Sequence, residues 1–394
     1  MPVLNLNELD RWPVIACDQF TSEPQYWQYV KNLVQNSPSA YNLIFPEAEL
    51  NNDPDLNQKR ISQINECMKM YLEQKIFHEF KNSYIYIERE LLNHKIRRGI
   101  LGTIDLEEYD YRPASKSQIR STELTVQERI PPRKKIREGA VLELSHVILL
   151  CDDVEKNLIE PLTLEKNQLK KLYDVNLMLG GGNIKAWLVD GEHAEKFNQR
   201  MQNYIDAKKS SGGLVFAVGD GNHSLAAAKS CYDDDKNNLL ARYASVELEN
   251  LHDDAILFEP IHRLVKNIEP ENLLNAVKEI CTDDLNNSWP VKFYSQGNAL
   301  TLNINKNSGA SALHVIQKFL DDNKYEIDYI HDEDTLKNLA NKNNCAGFEM
   351  PPFDENAKRG FFDLIAKSGN LPRKTFSMGH AQEKRYYFEA RRIK

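Results

Sequence analysis

The chain has 394 residues, of which 41% are hydrophobic and 27% are charged, proportions that are ordinary for a globular protein with a sizeable core. Its 50 Lys and Arg residues against 58 Asp and Glu residues give a formal net charge of −8, which argues against a protein built mainly to coat nucleic acid. Six scattered cysteines without a Cys-x-x-Cys pair, no export signal and no run of about 18 apolar residues predict a cytoplasmic protein with reduced thiols and no membrane partner.

The N-terminal third is predicted to alternate short strands with helices. The apolar run Val14–Cys17 predicts a strand, and Ser22 is the expected N-cap of a helix that starts near Pro24. The region that follows is predicted to contain a helix at 57–80, strands at 83–87 and 98–105, and a polar, basic loop with a short helix at 109–139.

The rest of the chain continues the alternation without strict βαβ regularity, and this predicts a mixed α/β fold. From about residue 268 the character changes, and 283–308 is rich in Asn, Asp and Ser, which predicts a separate lobe. The elements predicted here are strands at 141–151, 185–189, 214–218, 242–248 and 255–261, and helices at 165–177, 192–208, 271–281, 311–322 and from Ser224 onwards.

Residues 214–229 are the most informative stretch of the chain. The apolar run Leu214–Val218 predicts a strand, the turn Gly-Asp-Gly-Asn at 219–222 tolerates positive φ, and an Ala-rich helix follows. A strand that turns through glycines into a helix presents free backbone N–H groups and a positive dipole end, which together suit an anion, phosphate above all. Asp220 and His223 could hold a metal, move a proton or brace the loop. The alternative is a plain β–α turn in which Asp220 caps the helix and His223 is a satisfied polar residue.

A second stretch, 119–133, places three arginines beside two carboxylates and three hydroxyls. The planar fork of arginine suits phosphate and carboxylate groups, and a carboxylate among arginines stays ionised. Glu123 is therefore a candidate metal ligand or general base. The alternative is a solvated amphipathic segment whose surface ion pairs contribute little.

Two further sites carry weaker signals. Lys374, with Thr375 and Ser377, could form the far wall of a phosphate pocket, although a basic C-terminal tail explains the charges nearly as well. Asp18 follows a strand directly, where residues that contact ligands often lie, and could equally be a turn former.

The segments 16–27, 120–133, 219–229 and 371–385 resemble the successive motifs of one widespread prokaryotic family, from about residue 10 to the C-terminus and most weakly at 270–350. The box Asp-Gly-Asn-His at 220–223 is similar to the Asp-Gly-x-His box of the ParB/sulfiredoxin superfamily, whose members bind nucleotide phosphates there. Through that box the family resembles kinases that phosphorylate free L-serine.

The resemblance implies that Asp220, Asn222 and His223 contact nucleotide phosphates, and that Arg120 and Glu123 face them. Family boxes often carry Arg after the His, where this chain has Ser224. A phosphate-neutralising charge is then expected from Arg120, Arg133 or Lys374. Sulfiredoxin chemistry would need a cysteine at the box, and none lies in or beside it in the sequence.

The expected architecture is a ParB/sulfiredoxin-like nucleotide-binding core with an N-terminal elaboration at 1–265, a smaller α/β lobe at 266–350 and a C-terminal segment at 351–394 that returns to the active site. The expected function is a small-molecule kinase that uses ATP or ADP and Mg²⁺ to convert free L-serine to O-phospho-L-serine. The alternative is a ParB-like nucleotide-binding or hydrolysing regulatory protein with a macromolecular partner. The net charge and the lack of a recognisable helix-turn-helix count against DNA, and the sequence leaves a homodimer open.

The candidate residues fall into four groups by expected role. They are the catalytic residues Glu123, Asp220 and His223; the nucleotide-phosphate residues Gly219, Gly221, Asn222, Ser224, Arg120, Arg133 and Lys374; the substrate residues Asp18, Arg129 and Thr125; and the Mg²⁺ ligands Glu123 and Asp220.

Overall fold

A computed structural model describes residues 9–21, 23–113, 115–308, 311–351, 355–371, 374 and 376–394, without the side chains of 355–357 and 368. The chain divides into two compact units. The first unit comprises Met1–Ile256 and His380–Lys394, and the second unit comprises Leu257–Gly379. The division predicted from the sequence, at 265/266 and 350/351, stays a prediction, and the compact units begin and end at other residues.

Strands and helices alternate along the chain, which confirms the predicted mixed α/β class. The strands are β1 (Val14–Ile15), β2 (Tyr84–Glu90), β3 (Ile96–Asp105), β4 (Tyr109–Asp110), β5 (Ile119–Ser121), β6 (Leu142–Leu144), β7 (Ile148–Cys151), β8 (Lys170–Asn176), β9 (Asn183–Val189), β10 (Phe216–Asp220), β11 (Tyr243–Asn250), β12 (Phe258–Pro260), β13 (His262–Lys266), β14 (Ser288–Ser295), β15 (Asn298–Asn305), β16 (Glu326–Ile330), β17 (Cys345–Glu349), β18 (Phe376–Met378), β19 (Tyr386–Tyr387) and β20 (Ala390–Arg392). The α-helices are α1 (Pro24–Val34), α2 (Pro54–Glu73), α3 (Ile130–Glu138), α4 (Pro161–Glu165), α5 (Gly191–Ser210), α6 (Asn222–Asp234), α7 (Pro270–Val277), α8 (Ala312–Asp322), α9 (Glu333–Ala340) and α10 (Glu355–Ser368).

The first unit is built on a nine-stranded mixed sheet with the strand order β4-β5-β10-β7-β11-β3-β2-β9-β8. β10 pairs parallel with β5 and antiparallel with β7, and β7 pairs parallel with β11. Successive residues of a strand point to opposite faces of the sheet. Tyr86 accordingly enters the core on one face, with Phe197 of α5, and Ile87 enters the core on the other. Both faces are therefore buried, and the polar site lies where β10 ends.

The last residues of the chain complete the first unit. β19 pairs with β1 and β20 pairs with β6, both antiparallel. Tyr386, Tyr387 and Phe388 are almost fully buried, because they fill the core on one face of the large sheet. The end of the chain is thus an internal element of this unit and not a solvated basic tail.

The second unit has its own antiparallel sheet of order β15-β14-β17-β13-β16 and a two-stranded sheet of β12 and β18. Alternate residues of the larger sheet face different helices. Phe293 packs with α7 and α8 in one apolar cluster, whereas Tyr294 packs with Leu336 and Ala340 of α9 in another. This unit therefore buries apolar residues on both faces of its sheet.

Several predicted elements differ from the structure: the helix predicted at 57–80 ends at Glu73, and the strand predicted at 255–261 is reduced to Phe258–Pro260. The predicted helix at 165–177 is wrong, because residues 170–176 form β8, in which Tyr173 and Val175 are buried between exposed neighbours with the period of a strand. The predicted strand 141–151 is broken into β6 and β7. The helix expected from Ser224 begins at Asn222, with Gly221 as its N-cap. The expected N-cap Ser22 lies outside the described residues.

Within the described part of the chain, the helices are too short or too polar to cross a membrane.

Candidate functional site

The turn between β10 and α6 has a geometry that requires glycine. A bulge interrupts the pairing of β10 with β7 between Val218 and Asp220. Gly221 adopts φ 81° and ψ 21°, and a Cβ atom added to it would lie 3.0 Å from the Cα of Val147. No side chain of the described residues caps α6, so the backbone N–H groups of its first turn face outwards without an intrahelical acceptor.

Side chains in the first turn of α6 point to different partners. Asn222 has a buried Oδ1 atom that has no hydrogen-bond partner among the described residues. Ser224 Oγ lies 3.0 Å from Nε2 of His146. Asp220, at the end of β10, accepts a 2.9 Å hydrogen bond from the backbone N–H of Gly221. The turn therefore presents a carboxylate, an amide and a hydroxyl around the start of one helix.

The segment that carries Glu123 is fastened to this turn on both sides. Thr122 Oγ1 donates a 2.7 Å hydrogen bond to the carbonyl of Val218 in β10. The backbone N–H of Val126 donates to Nε2 of His223, at 3.1 Å. The structure thus brings the half-buried Glu123 and the β10–α6 turn together, and His223 braces the two segments, as one of the sequence interpretations holds.

Thr125, a predicted substrate residue, is buried. Its Oγ1 lies 3.4 Å from Ser121 Oγ, which in turn lies 3.2 Å from the hydroxyl of Tyr109. These three hydroxyls form an internal group beneath the Glu123 segment. This geometry gives Thr125 a role in holding the segment, and its contact with a substrate stays a prediction.

The predicted arginines already have protein partners. Arg129 Nη2 lies 3.0 Å from Glu47 Oε2, and Arg133 pairs with the other oxygen of the same carboxylate. Arg120 donates from Nε to the carbonyl of Ser117 at 2.9 Å, and burial lowers the pKa of its guanidinium. Two arginines thus share one carboxylate, which leaves a net positive charge beside the turn that carries Asp18.

Asp18 lies among groups that keep its carboxylate charged. Burial by itself would raise the pKa of the Asp18 carboxyl. His146, when its imidazole is protonated, and a 2.9 Å hydrogen bond from the Gln19 amide act in the opposite direction. The cations Arg133 and Lys384 add to that effect, so the pKa lies below its ordinary value of 3.8. Asp18 is therefore an anion at neutral pH, able to face a substrate ammonium or accept a proton.

Lys384 reaches the site from the C-terminal segment. Its Nζ lies 3.5 Å from Asp220 Oδ2. The backbone around it is held by buried arginines from the large sheet, because Arg89 donates to the carbonyls of Lys384 and Gln382 and Arg97 donates to the carbonyl of Glu383. A cation is thereby fixed beside the β10–α6 turn.

Sequence reasoning missed three residues of this cluster: His146, Lys384 and Tyr387. The predicted strand 141–151 includes His146, Lys384 lies in the segment read as a basic C-terminal tail, and no role is predicted for Tyr387. Their partners are distant in sequence, since His146 contacts Ser224 across 78 residues and Tyr387 across 241. The one available signal was the clustering of Glu383, Lys384 and Arg385 beside two aromatic residues.

Lys374 belongs to the second unit, where it adopts a positive φ of 60°. Its neighbours Pro372, Arg373 and Thr375 lie outside the described residues. Its predicted phosphate contact stays a prediction.

The described residues contain no group of three or more His, Cys, Asp or Glu side chains placed to hold a metal. Mg²⁺ commonly takes one or two carboxylates together with substrate phosphates and water, so it does not need such a group. Asp220 fits that pattern as a single carboxylate beside a helix start. The six cysteines are unpaired, and burial raises the pKa of the Cys17 thiol to about 12. Although Cys17 adjoins Asp18, its thiol is therefore a poor nucleophile.

The fold and the site together define a mixed α/β protein with a polar cluster at a strand–turn–helix junction. The chain belongs to the family described as "Protein of unknown function (DUF1015)", whose model matches residues 2–344. Comparison with curated proteins gives no match.

Solved structures similar to this chain include kinases and proteins without a stated activity. A free serine kinase variant in complex with ADP is 12% identical, covers 76% of this chain and 93% of its own, and has a TM-score of 0.40. SbnI with a C-terminal truncation, from Staphylococcus aureus, is 10% identical with coverages of 71% and 83% and a TM-score of 0.38. A conserved hypothetical protein from Pyrococcus furiosus is 10% identical with coverages of 74% and 95% and a TM-score of 0.36. Similarity at these levels assigns no function to the chain.

Proposed function

We propose that this protein is a nucleotide-dependent small-molecule kinase that transfers a phosphoryl group from ATP or ADP to the hydroxyl of free L-serine. One observation carries the proposal. An uncapped helix start, two carboxylates and a lysine converge at the end of β10, as phosphoryl transfer requires. The choice of L-serine as acceptor follows the resemblance of the sequence motifs.

The phosphates are bound at the β10–α6 turn. Backbone N–H groups from Asn222 onwards point away from α6, and the helix dipole favours an anion there. The buried Oδ1 atom of Asn222 has no partner in the described structure, and because it is an acceptor, it supports a ligand that brings a hydrogen-bond donor or a cation along with the phosphates. Lys384, Arg120 and Arg133 supply positive charge.

In the transfer step the serine hydroxyl oxygen forms a bond to the terminal phosphorus of the nucleotide. The bond from that phosphorus to its bridging oxygen breaks, and the shortened nucleotide leaves with the electron pair. Glu123 accepts the hydroxyl proton as general base. Asp18 and Arg129 face the ammonium and the carboxylate of the amino acid. Mg²⁺, held by Asp220, would supply charge neutralisation at the phosphates.

The test is incubation of the purified protein with ATP or ADP, Mg²⁺ and a panel of amino acids and small alcohols, followed by mass spectrometry. We expect a new phosphorylated product with L-serine, and none from a folded Asp220→Asn variant. A second arm measures nucleotide turnover with DNA or cell protein in place of the small molecules. Stimulation by a macromolecule, with no phosphorylated small molecule, would overturn the kinase proposal in favour of a ParB-like regulatory protein.

A further inference from the structure

A chain of three hydrogen-bonded side chains leads from the Asp18 turn to the start of α6. His146 lies in the break between β6 and β7, buried, and uses both of its ring nitrogens. Its Nδ1 is 3.0 Å from the hydroxyl of Tyr387, and its Nε2 is 3.0 Å from Ser224 Oγ. We call Tyr387, His146 and Ser224 the relay.

A backbone hydrogen bond favours one direction for the relay. The N–H of Cys17 donates to the hydroxyl oxygen of Tyr387 at 3.2 Å. Since a backbone N–H can only donate, the Tyr387 oxygen accepts there, which favours a hydroxyl proton directed to Nδ1 of His146. A neutral imidazole has one proton, which then resides on Nε2 and is donated to Ser224 Oγ. The hydroxyl proton of Ser224 is then not used in this hydrogen bond and can be donated to another acceptor.

The surroundings keep His146 neutral. Burial lowers the pKa of its imidazole below the ordinary 6.5, and Arg133 and Arg385 act in the same direction. The carboxylates of Asp18 and Asp220 oppose that effect without reversing it. The sequence of donors and acceptors described above requires an imidazole with a single proton.

We propose that Tyr387 and His146 are positioning residues that hold Ser224 Oγ as a hydrogen-bond donor to the nucleotide phosphate. The proposal rests on the proposed function, because it assumes that a nucleotide binds at the start of α6. Ser224 is the third residue of that helix, where the backbone N–H groups also lack intrahelical acceptors. Its hydroxyl thus adds a neutral, preoriented donor to those groups.

The first test determines, without any ligand, which ring nitrogen of His146 carries the proton. Nitrogen NMR of the imidazole rings, with the His146 signals assigned by their loss in His146→Gln, reports which nitrogen bears the proton. We expect the proton on Nε2 at neutral pH in the wild-type protein, and a shift of population towards Nδ1 in Tyr387→Phe. A proton on Nδ1 in the wild type would overturn the relay, whether or not nucleotide binds.

The second test is a double-mutant cycle on ADP affinity, measured by calorimetry. We expect Ser224→Ala to weaken ADP binding about tenfold, as loss of one hydrogen bond to a charged group does, and to leave adenosine binding unchanged. Tyr387→Phe should weaken ADP binding in the wild type and have no further effect in Ser224→Ala. Tyr386→Phe is the matched control, because that neighbouring hydroxyl donates to the carbonyl of Met178 at 3.3 Å and is outside the relay.

The outcomes separate the two proposals. Wild-type ADP affinity in Ser224→Ala, or additive effects of the two substitutions, would overturn the positioning role while the kinase proposal stands. A wild-type protein that binds no nucleotide would overturn the proposed function and the phosphate contact together, and the NMR measurement would still decide the direction of the relay.

Discussion

At the scale of single residues, the site contains two carboxylates that can each serve as the base, in different surroundings. Asp18 is kept charged by its neighbours, whereas Glu123 is half-buried on a segment fastened through Thr122 and Val126. Their proposed roles differ: Glu123 accepts the hydroxyl proton, and Asp18 faces the substrate ammonium. Each role affects a different kinetic constant.

We predict that Glu123→Gln lowers kcat for serine phosphorylation by about 10²–10⁴ with little change in ADP affinity, because the substitution keeps the shape and removes the base. Asp18→Asn should chiefly raise KM for serine, since it removes the charge that faces the ammonium. Steady-state kinetics on both variants measures these effects. Glu128→Gln, an exposed position on the same segment, is the control and should match the wild type. A normal rate in Glu123→Gln together with a lost rate in Asp18→Asn would transfer the base role to Asp18.

At the scale of elements, the close approach of the β10–α6 turn to Val147 constrains the backbone of the site. Gly221 is in the left-handed region, and its Cα hydrogen points at the backbone of the break between β6 and β7. Substitution there perturbs the turn itself, so a loss of binding in Gly221→Val would reflect backbone strain as well as a blocked phosphate.

We predict that Gly221→Ala lowers the free energy of unfolding by about 2–3 kcal/mol, from the left-handed backbone and the contact with Val147. Gly180→Ala is the matched control, because Gly180 has nearly the same φ, 79° against 81°, and nothing within 4 Å of an added Cβ. It should cost about 1 kcal/mol. Urea denaturation of both variants gives the comparison. Equal losses would show that the Val147 contact contributes nothing.

The elements that could be predicted from sequence are those whose signal is local. The turn at 219–222 is indicated by its Gly and Asn residues, and the predicted helix 311–322 corresponds to α8, which Ser311 caps. The sequence predicts a helix where the structure has β8, because Lys170–Asn176 is short and polar on one side. Its extended conformation depends on pairing with β9, which the local sequence does not show. The placement of His146 and Lys384 depends on contacts between distant segments, which no local pattern encodes.

At the scale of the whole molecule, the second unit is inserted into the first. The chain enters it at Leu257 and leaves it at Gly379, and the N–H of Gly379 donates to the carbonyl of Leu257 at 3.2 Å. β12 and β18, next to these two points, are paired antiparallel. The ends of the insertion are therefore adjacent, as in insertions that domains tolerate.

We predict that replacing 257–379 with a short glycine linker leaves a chain that unfolds cooperatively and binds ADP as the wild type does, because Asp18, Asp220, Ser224 and Lys384 all belong to the first unit. Circular dichroism measures whether the shortened chain unfolds cooperatively, and calorimetry measures its affinity for ADP. The segment 257–379 expressed alone is the companion sample and should also fold, since it has its own core. A folded, shortened chain with much weaker ADP affinity would support the predicted phosphate role of Lys374.

The closing of the first unit by residues 380–394 has a consequence for synthesis on the ribosome. Arg89 can bond to the carbonyl of Lys384 only after a further 295 residues have been synthesised, and the β1–β19 pair cannot form until Tyr386 and Tyr387 have left the exit tunnel. The second unit, complete by Gly379, can fold while the first is still open. Lys384 and Tyr387 are thus translated after the whole of the second unit, and the nascent polypeptide cannot assemble the proposed site until both have emerged.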